Sequence, residues 1–281
     1  MGIPSFPNPD TSLPKLPSSP AIKLRPIRFD TFTYEPSSRH VRAVAADSTC
    51  VVDSRHNLLV WEPNAIIPDY AFPSSHVRTD LLVRAPNTDA AKAYWRPKAA
   101  GEWYDFVLPS GQIVPCAAWK WKDVGLDDYW GLSWHSSTPL TWYEEDDVVH
   151  SHARGTHWRV DTAPSSRHVV VRNKANGDVL ADSKNHVALF ETCLPTRFYI
   201  PRSDVKLDKL EHVSRTTTCP YKGYCEDYWR IKDGKKNEFV AWSYANPMET
   251  VGRIKGLIAF DSALVDLIVD GEPFVGPKDW A

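Results

Sequence analysis

The hexapeptide "PSSRHV" stands at Pro36–Val41 and again at Pro164–Val169, an offset of 128 residues. Six identical residues at that distance point to a chain written twice, and the hexapeptide fixes how the two copies align. After the second comes "VVVRNKANGDVLADS", two short apolar runs about Asn176-Gly177, the strongest short-range hairpin signal. After the first comes "VRAVAADSTCVVDS", with Asp47-Ser48 at the turn. Both hairpins end in Asp-Ser, at Asp53-Ser54 and Asp182-Ser183. Nine residues beyond each Asp, an apolar run closes on a glutamate: "LLVWE" at Glu62 and "VALFE" at Glu191. A proline follows each, Pro73 and Pro201.

Further on, "WRPKAAGEWYDFVLPSGQIVPCAAWKW" lies over "TCPYKGYCEDYWRIKDGKKNEFVAWSY" without a gap. Gly131-Leu132 and Gly256-Leu257 are aligned as the start of each copy's last strand pair. Strand-length segments broken by Gly, Pro, Asn and Asp dominate, and the one helix candidate is "VKLDKLEHV" after Asp204. The expected class is mainly β: two tandem small antiparallel β domains with few short helices. Residues 1–35 form a Pro-rich arm, 36–150 a first repeat and 151–281 a second.

The 281-residue composition bounds the function. Net charge is −2 and no Lys/Arg cluster appears, so a nucleic-acid partner is not expected. Five cysteines without a CxxC pair argue against a disulfide framework and a structural zinc site. No apolar run reaches membrane-spanning length, so no membrane partner is expected, and with its unpaired cysteines the protein is placed in the cytoplasm; no cofactor is expected. The 12 Trp, 11 Tyr and 10 Phe suit a β core and also the wall of a small-molecule site.

In the second copy, "ADSKNHVALFETCLPTRFYIPRSDV", "TCPYKGYCEDYW", "VAWSYANP" and "IKGLIAFDSALVDLIVDGE" occur in order. Over residues 158–281 this resembles the domain-of-unknown-function family 427, which also carries a nucleotidyltransferase-like label. The resemblance implies the β-tent fold, here without the four-Cys zinc site of many β-tent proteins. Nucleotidyl transfer needs a Gly-Ser phosphate loop and paired carboxylates for Mg²⁺, and neither a Gly-Ser step nor an Asp-x-Asp is present.

The candidate chemistry lies in the second copy. Lys222, between Tyr221 and Gly223, suits an anion anchor or a base of lowered pKa, and Glu191 after its apolar run suits a proton acceptor. Each also fits a structural ion pair or a surface turn. Tyr199 and Tyr244 offer hydroxyls, Trp242 and Trp229 an apolar wall, and Arg197 a charge partner. Asp204 suits a cap of the turn that follows, and Cys219 a nucleophile or a turn residue. His150 and His152 form a His-x-His near the junction that a strand would place on one face, with His157 beyond. The first copy has Ala71 for Tyr199, His76 for Asp204, Arg96 for Cys219 and Ala99 for Lys222, which marks it as mainly scaffold, lid or a diverged site. The expected function is a metal-independent lyase, isomerase or hydrolase acting by acid/base chemistry on a small polar or aromatic molecule. The alternative is a non-catalytic small-ligand or peptide binding module with an aromatic pocket.

Overall fold

A computed structural model describes residues 30–93, 100–134, 139–232 and 234–274. Most of the Pro-rich arm, and positions 96, 98 and 99 compared with the second copy's turn, lie outside the described residues. The chain divides into two compact units. Among the described residues, one comprises 30–158 together with Thr217–Tyr224, and the other the remainder from Arg159 onward. The expected break after residue 150 therefore precedes the observed division by eight residues. Both units are mainly β with antiparallel sheets, and only short 3-10 turns interrupt them. Among the described residues no helix is long and apolar enough to cross a membrane.

The first unit holds β1 (Thr33–Ser37), β2 (Val41–Ala45), β3 (Cys50–Ser54), β4 (Asn57–Trp61), β5 (Asp69–Pro73), β6 (Leu82–Arg84), β7 (Ala100–Val107), β8 (Ile113–Trp121), β9 (Tyr129–Leu132), β10 (Leu140–Glu144) and β11 (Asp147–Val149). One sheet runs β1-β4-β5-β9-β8-β7-β6 and the other β11-β10-β2-β3. Along β2, Val41, Ala43 and Ala45 are buried while Arg42 and Val44 between them are less so, the period-2 signature of a strand with one face on a core.

The second copy supplies β12 (Val160–Ser165), β13 (Val169–Asn173), β14 (Val179–Ser183), β15 (His186–Glu191), β16 (Arg197–Tyr199), β17 (Leu210–Cys219), β18 (Gly223–Ile231), β19 (Ala241–Ser243), β20 (Ile258–Phe260), β21 (Val265–Val269) and β22 (Glu272–Pro273). Its sheets run β12-β15-β16, β17-β18-β19-β20 and β14-β13-β21-β22. An Ile200–Ile258 bridge continues β16 to β20, so the order repeats that of the first copy strand for strand.

The hexapeptide is the repeated joint of this fold. His40 Nε2 meets Asp53 Oδ1 at 2.7 Å, and His168 Nε2 meets Asp182 Oδ1 at 2.7 Å. The His40 N–H donates to Glu145 Oε1 at 2.9 Å, and the His168 N–H donates to Asp270 Oδ1 at 2.9 Å. In return the Glu145 and Asp270 N–H groups donate to the carbonyls of the same two histidines, each at 2.8 Å. Arg39 pairs with Glu144, and Arg167 with Asp270. The closing valines, Val41 and Val169, are fully buried. These polar contacts satisfy backbone groups where the chain passes between sheets, which is why the residues survive in both copies.

Two local expectations are corrected. The segment after Asp204 is not a helix: Leu207–Lys209 is a single 3-10 turn and β17 begins at Leu210. The Lys206 N–H donates to the Leu180 carbonyl at 2.8 Å, and Val205 bridges Ala181, so pairing with β14 overrides the local pattern. The pairing of Gly131 with Gly256 is off by three residues. Gly131 lies opposite Trp119 and Ala71, whereas Ala259 lies opposite Trp242, so Ala259 is the counterpart.

Candidate functional site

The family-like residues of the second copy form a closed cluster more than an open cavity. Tyr199 on β16 is 1% exposed, and its hydroxyl accepts the Trp242 indole N–H at 3.2 Å. Tyr199 and Tyr244 pack with Leu189, Cys225, Val251, Ile254 and Ala259. The Arg197 guanidinium lies 5.3 Å over the Trp242 ring and reaches Asp261 at 3.4 Å. Cys225 donates its S–H to the Ser243 carbonyl, and burial pushes its thiol up, holding it protonated and unreactive. All five cysteines are free.

Trp229 does not join Trp242 in a shared wall. The residue paired with Trp242 is Tyr228, so Trp229 points to the other face of the sheet. There it enters a separate core with Val171, Ile200 and Phe260, beneath the Arg202 guanidinium at 5.1 Å. Asp204 does not cap its turn. It accepts the Ser183 hydroxyl at 2.6 Å and the Ser203 hydroxyl at 2.9 Å. His76 in the first copy meets Ser54 in the same way at 2.9 Å, so the exchange of Asp for His preserves a structural bond.

Glu191 is half-buried and lines a shallow hollow with Arg159, Asp161, Phe190 and Thr192. Lys222 and Cys219 fall in Thr217–Tyr224 and so belong to the first unit, whereas Glu191 and Tyr199 belong to the second. In that turn Gly223 has φ +94°, a left-handed conformation that favours glycine. The neighbouring Tyr221 ring stacks on Trp158 with centroids 5.8 Å apart, and its hydroxyl accepts the Gly155 N–H at 2.8 Å. Burial pushes the Tyr221 phenol up, so it stays neutral.

Beside this turn, within the first unit, lies a second hollow of about 280 Å³. Trp134, Leu140, Thr141, Trp142, Val148, Val149, His150, Ser151, Thr218 and Tyr224 line it. The Trp134 and Trp142 rings stack at 4.2 Å with 19° between their planes. Tyr224 Oη is hydrogen-bonded to His150 Nε2, with ring centroids 4.6 Å apart. Burial pushes the His150 imidazole below its usual pKa, so it is neutral at physiological pH. With the imidazole proton on Nδ1, the phenol O–H donates to Nε2. Ser151, next in the chain, holds φ +79°, an uncommon backbone state for a residue with a side chain.

Paired strands and a buried polar network support this hollow. Trp142 and Val149 pair across the β10–β11 hairpin, and Trp142 pairs with Ala43 of β2. The buried Glu144, two residues on, accepts Arg154 Nε at 2.6 Å and the Tyr70 hydroxyl at 3.1 Å. That network anchors the chain just after His150. The junction histidines take separate partners: His152 Nδ1 lies 2.8 Å from the Ala153 carbonyl, and His157 meets Glu35 at 2.6 Å.

In the sequence Tyr224 stands inside a motif with no chemistry of its own, and the His150-x-His152 spacing fits a metal-binding pair or a solvated junction. The usable signal lay in comparing the copies. Tyr224 stands where the ungapped alignment gives the first copy Gly101, and by register the second copy has Leu267 at the position of Trp142.

The molecule is thus a tandem β protein carrying an aromatic hollow in its first unit. Residues 33–135 and 161–271 match the family described as a domain of unknown function, DUF427, and the chain belongs to that family. No curated protein matches it.

Proposed function

We propose that this protein is an enzyme acting on a small organic molecule by acid/base chemistry, with Tyr224 and His150 as the proton-handling pair. The hydrogen bond between a phenol and a neutral imidazole on the wall of an aromatic hollow carries this reading. Tyr224 takes a proton from the substrate as its own phenolic proton passes to His150 Nε2, and in the return step it gives a proton to the substrate as the His150 imidazolium hands one back to the phenol. Such a pair serves proton removal and return, the chemistry of a lyase or isomerase. Glu191 and Lys222 are not needed for it. The five free thiols fit a reducing compartment, and a cytoplasmic location is part of this reading.

Tyr224→Phe and His150→Gln test the proposal. Each is expected to lower kcat/KM by about a hundredfold, within the usual range for an acid/base group, with the fold intact by circular dichroism. Because burial lowers the His150 pKa, the acid limb of kcat/KM should lie below about 6.5, the ordinary histidine value. Wild-type turnover in both variants would overturn the catalytic role. The stacked Trp134–Trp142 wall also favours a second reading, a non-catalytic small-ligand module. That reading predicts a ligand recovered chemically unchanged, with Tyr224→Phe altering affinity alone.

A further inference from the structure

Resting on the reading of this hollow as a ligand site, we infer that its ligand is a small uncharged molecule, no larger than one or two rings, bearing a carbonyl or hydroxyl group.

Three observations carry the inference. The first is charge. Among the described residues none that lines the hollow is Asp, Glu, Lys or Arg, and burial holds His150 neutral. Several charged residues on the flanking strands and loop engage one another instead. Glu144 binds Arg154 at 2.6 Å and Arg39 at 3.2 Å, and Arg42 binds Asp146 at 2.9 Å. A carboxylate, phosphate or ammonium entering here would lose water and gain no opposite charge. The second is size. Trp134 and Trp142 are buried against each other and against Tyr70 and Phe72, so the wall they form is filled and the ligand has only the hollow itself. A hollow of about 280 Å³ lies at the small end of ligand sites, which limits the ligand to one or two rings. The third is the polar set. Thr141, Ser151 and Thr218 bring hydroxyls that both donate and accept, and they join the Tyr224–His150 pair. This set matches a carbonyl or hydroxyl and offers an anion no compensating charge.

The test uses three probes of one size: acetophenone, benzoate and benzylammonium. Their binding to the full-length protein is measured by saturation-transfer NMR and by quenching of tryptophan fluorescence. Acetophenone is expected to bind at least about tenfold more tightly than either ion. Thr141→Arg adds a cation at an exposed strand position on the rim and should raise benzoate affinity about tenfold while weakening benzylammonium. An ion that binds wild-type protein as tightly as acetophenone, and responds to Thr141→Arg, overturns the uncharged class and leaves the hollow as the ligand site. Binding of none of the three, or binding indifferent to Thr141→Arg, overturns the inference and the reading of the hollow together.

Discussion

His186 shows how one residue separates the two copies. By strand register it stands where the first copy has Asn57. The Asn57 amide donates to the Arg39 carbonyl at 2.9 Å and the Ser54 carbonyl at 3.4 Å. His186 is equally buried, packs edge-on against Phe198, and neither ring nitrogen has a hydrogen-bond partner. Burial, and then the Arg167 charge, lower its pKa, against a smaller opposing pull from Asp270. The unfolded chain therefore binds the proton more readily, so stability is full above about pH 6.5 and falls as pH drops through the lowered value. The slope is up to about 1.4 kcal/mol per pH unit. His186→Asn should flatten that acid slope, which thermal melts at pH 5 and pH 7 will check. Asp69 has the opposite sign. Burial, then the neighbouring Glu62, push its carboxyl well above the usual range, so the folded state binds the proton more tightly. Its stability contribution is present below pH 3.8 and is lost as pH rises. Asp69→Asn should raise the melting temperature at pH 7, by about 1 kcal/mol or more of stability, and change little at pH 4.

At the scale of elements, the strands were legible and one close approach was not. A Cβ on Gly131 would lie 2.1 Å from Trp119 Cε2, so β9 has room for the buried Trp119 ring only because residue 131 is glycine. Gly256 serves a different need, a turn with φ +70° and nothing within 4 Å of an added Cβ. Two glycines in similar sequence settings therefore answer to different physics, and a one-dimensional alignment matched them wrongly. Gly131→Ala should destabilise the first unit by about 3 kcal/mol through overpacking, whereas Gly252→Ala, with open space around it, should cost far less. Chemical denaturation of the two variants gives the comparison. The false helix after Asp204 has a similar origin. Its local pattern was readable, but its backbone partner on β14 lies over 20 residues away in the sequence.

At the scale of the whole molecule, the duplication was legible because the hexapeptide, the Asp-Ser hairpin ends and the two glutamates recur in order. The repeated sheet order bears out that two-copy architecture. The candidate site was much less legible. Tyr224 and His150 lie 74 residues apart, and neither carries a local pattern that announces the other. The family-like vocabulary drew attention to Tyr199 and Asp204, which the fold spends on a buried indole bond and on a serine hydroxyl. Differences between the copies proved more informative about chemistry than shared residues, because shared residues mostly hold the joints.

The placement of Thr217–Tyr224 in the first unit has a genetic consequence. That unit is discontinuous along the chain, and eight of its residues are encoded after most of the second copy's early strands. A fragment ending at Trp158 lacks Tyr221 and Tyr224, leaving Trp158 without its stacking partner and His150 without its phenol. Such a fragment should melt below the full-length protein's first unit, followed by tryptophan fluorescence. Recombination that deleted the second copy alone would remove Thr218 and Tyr224 and so break the site.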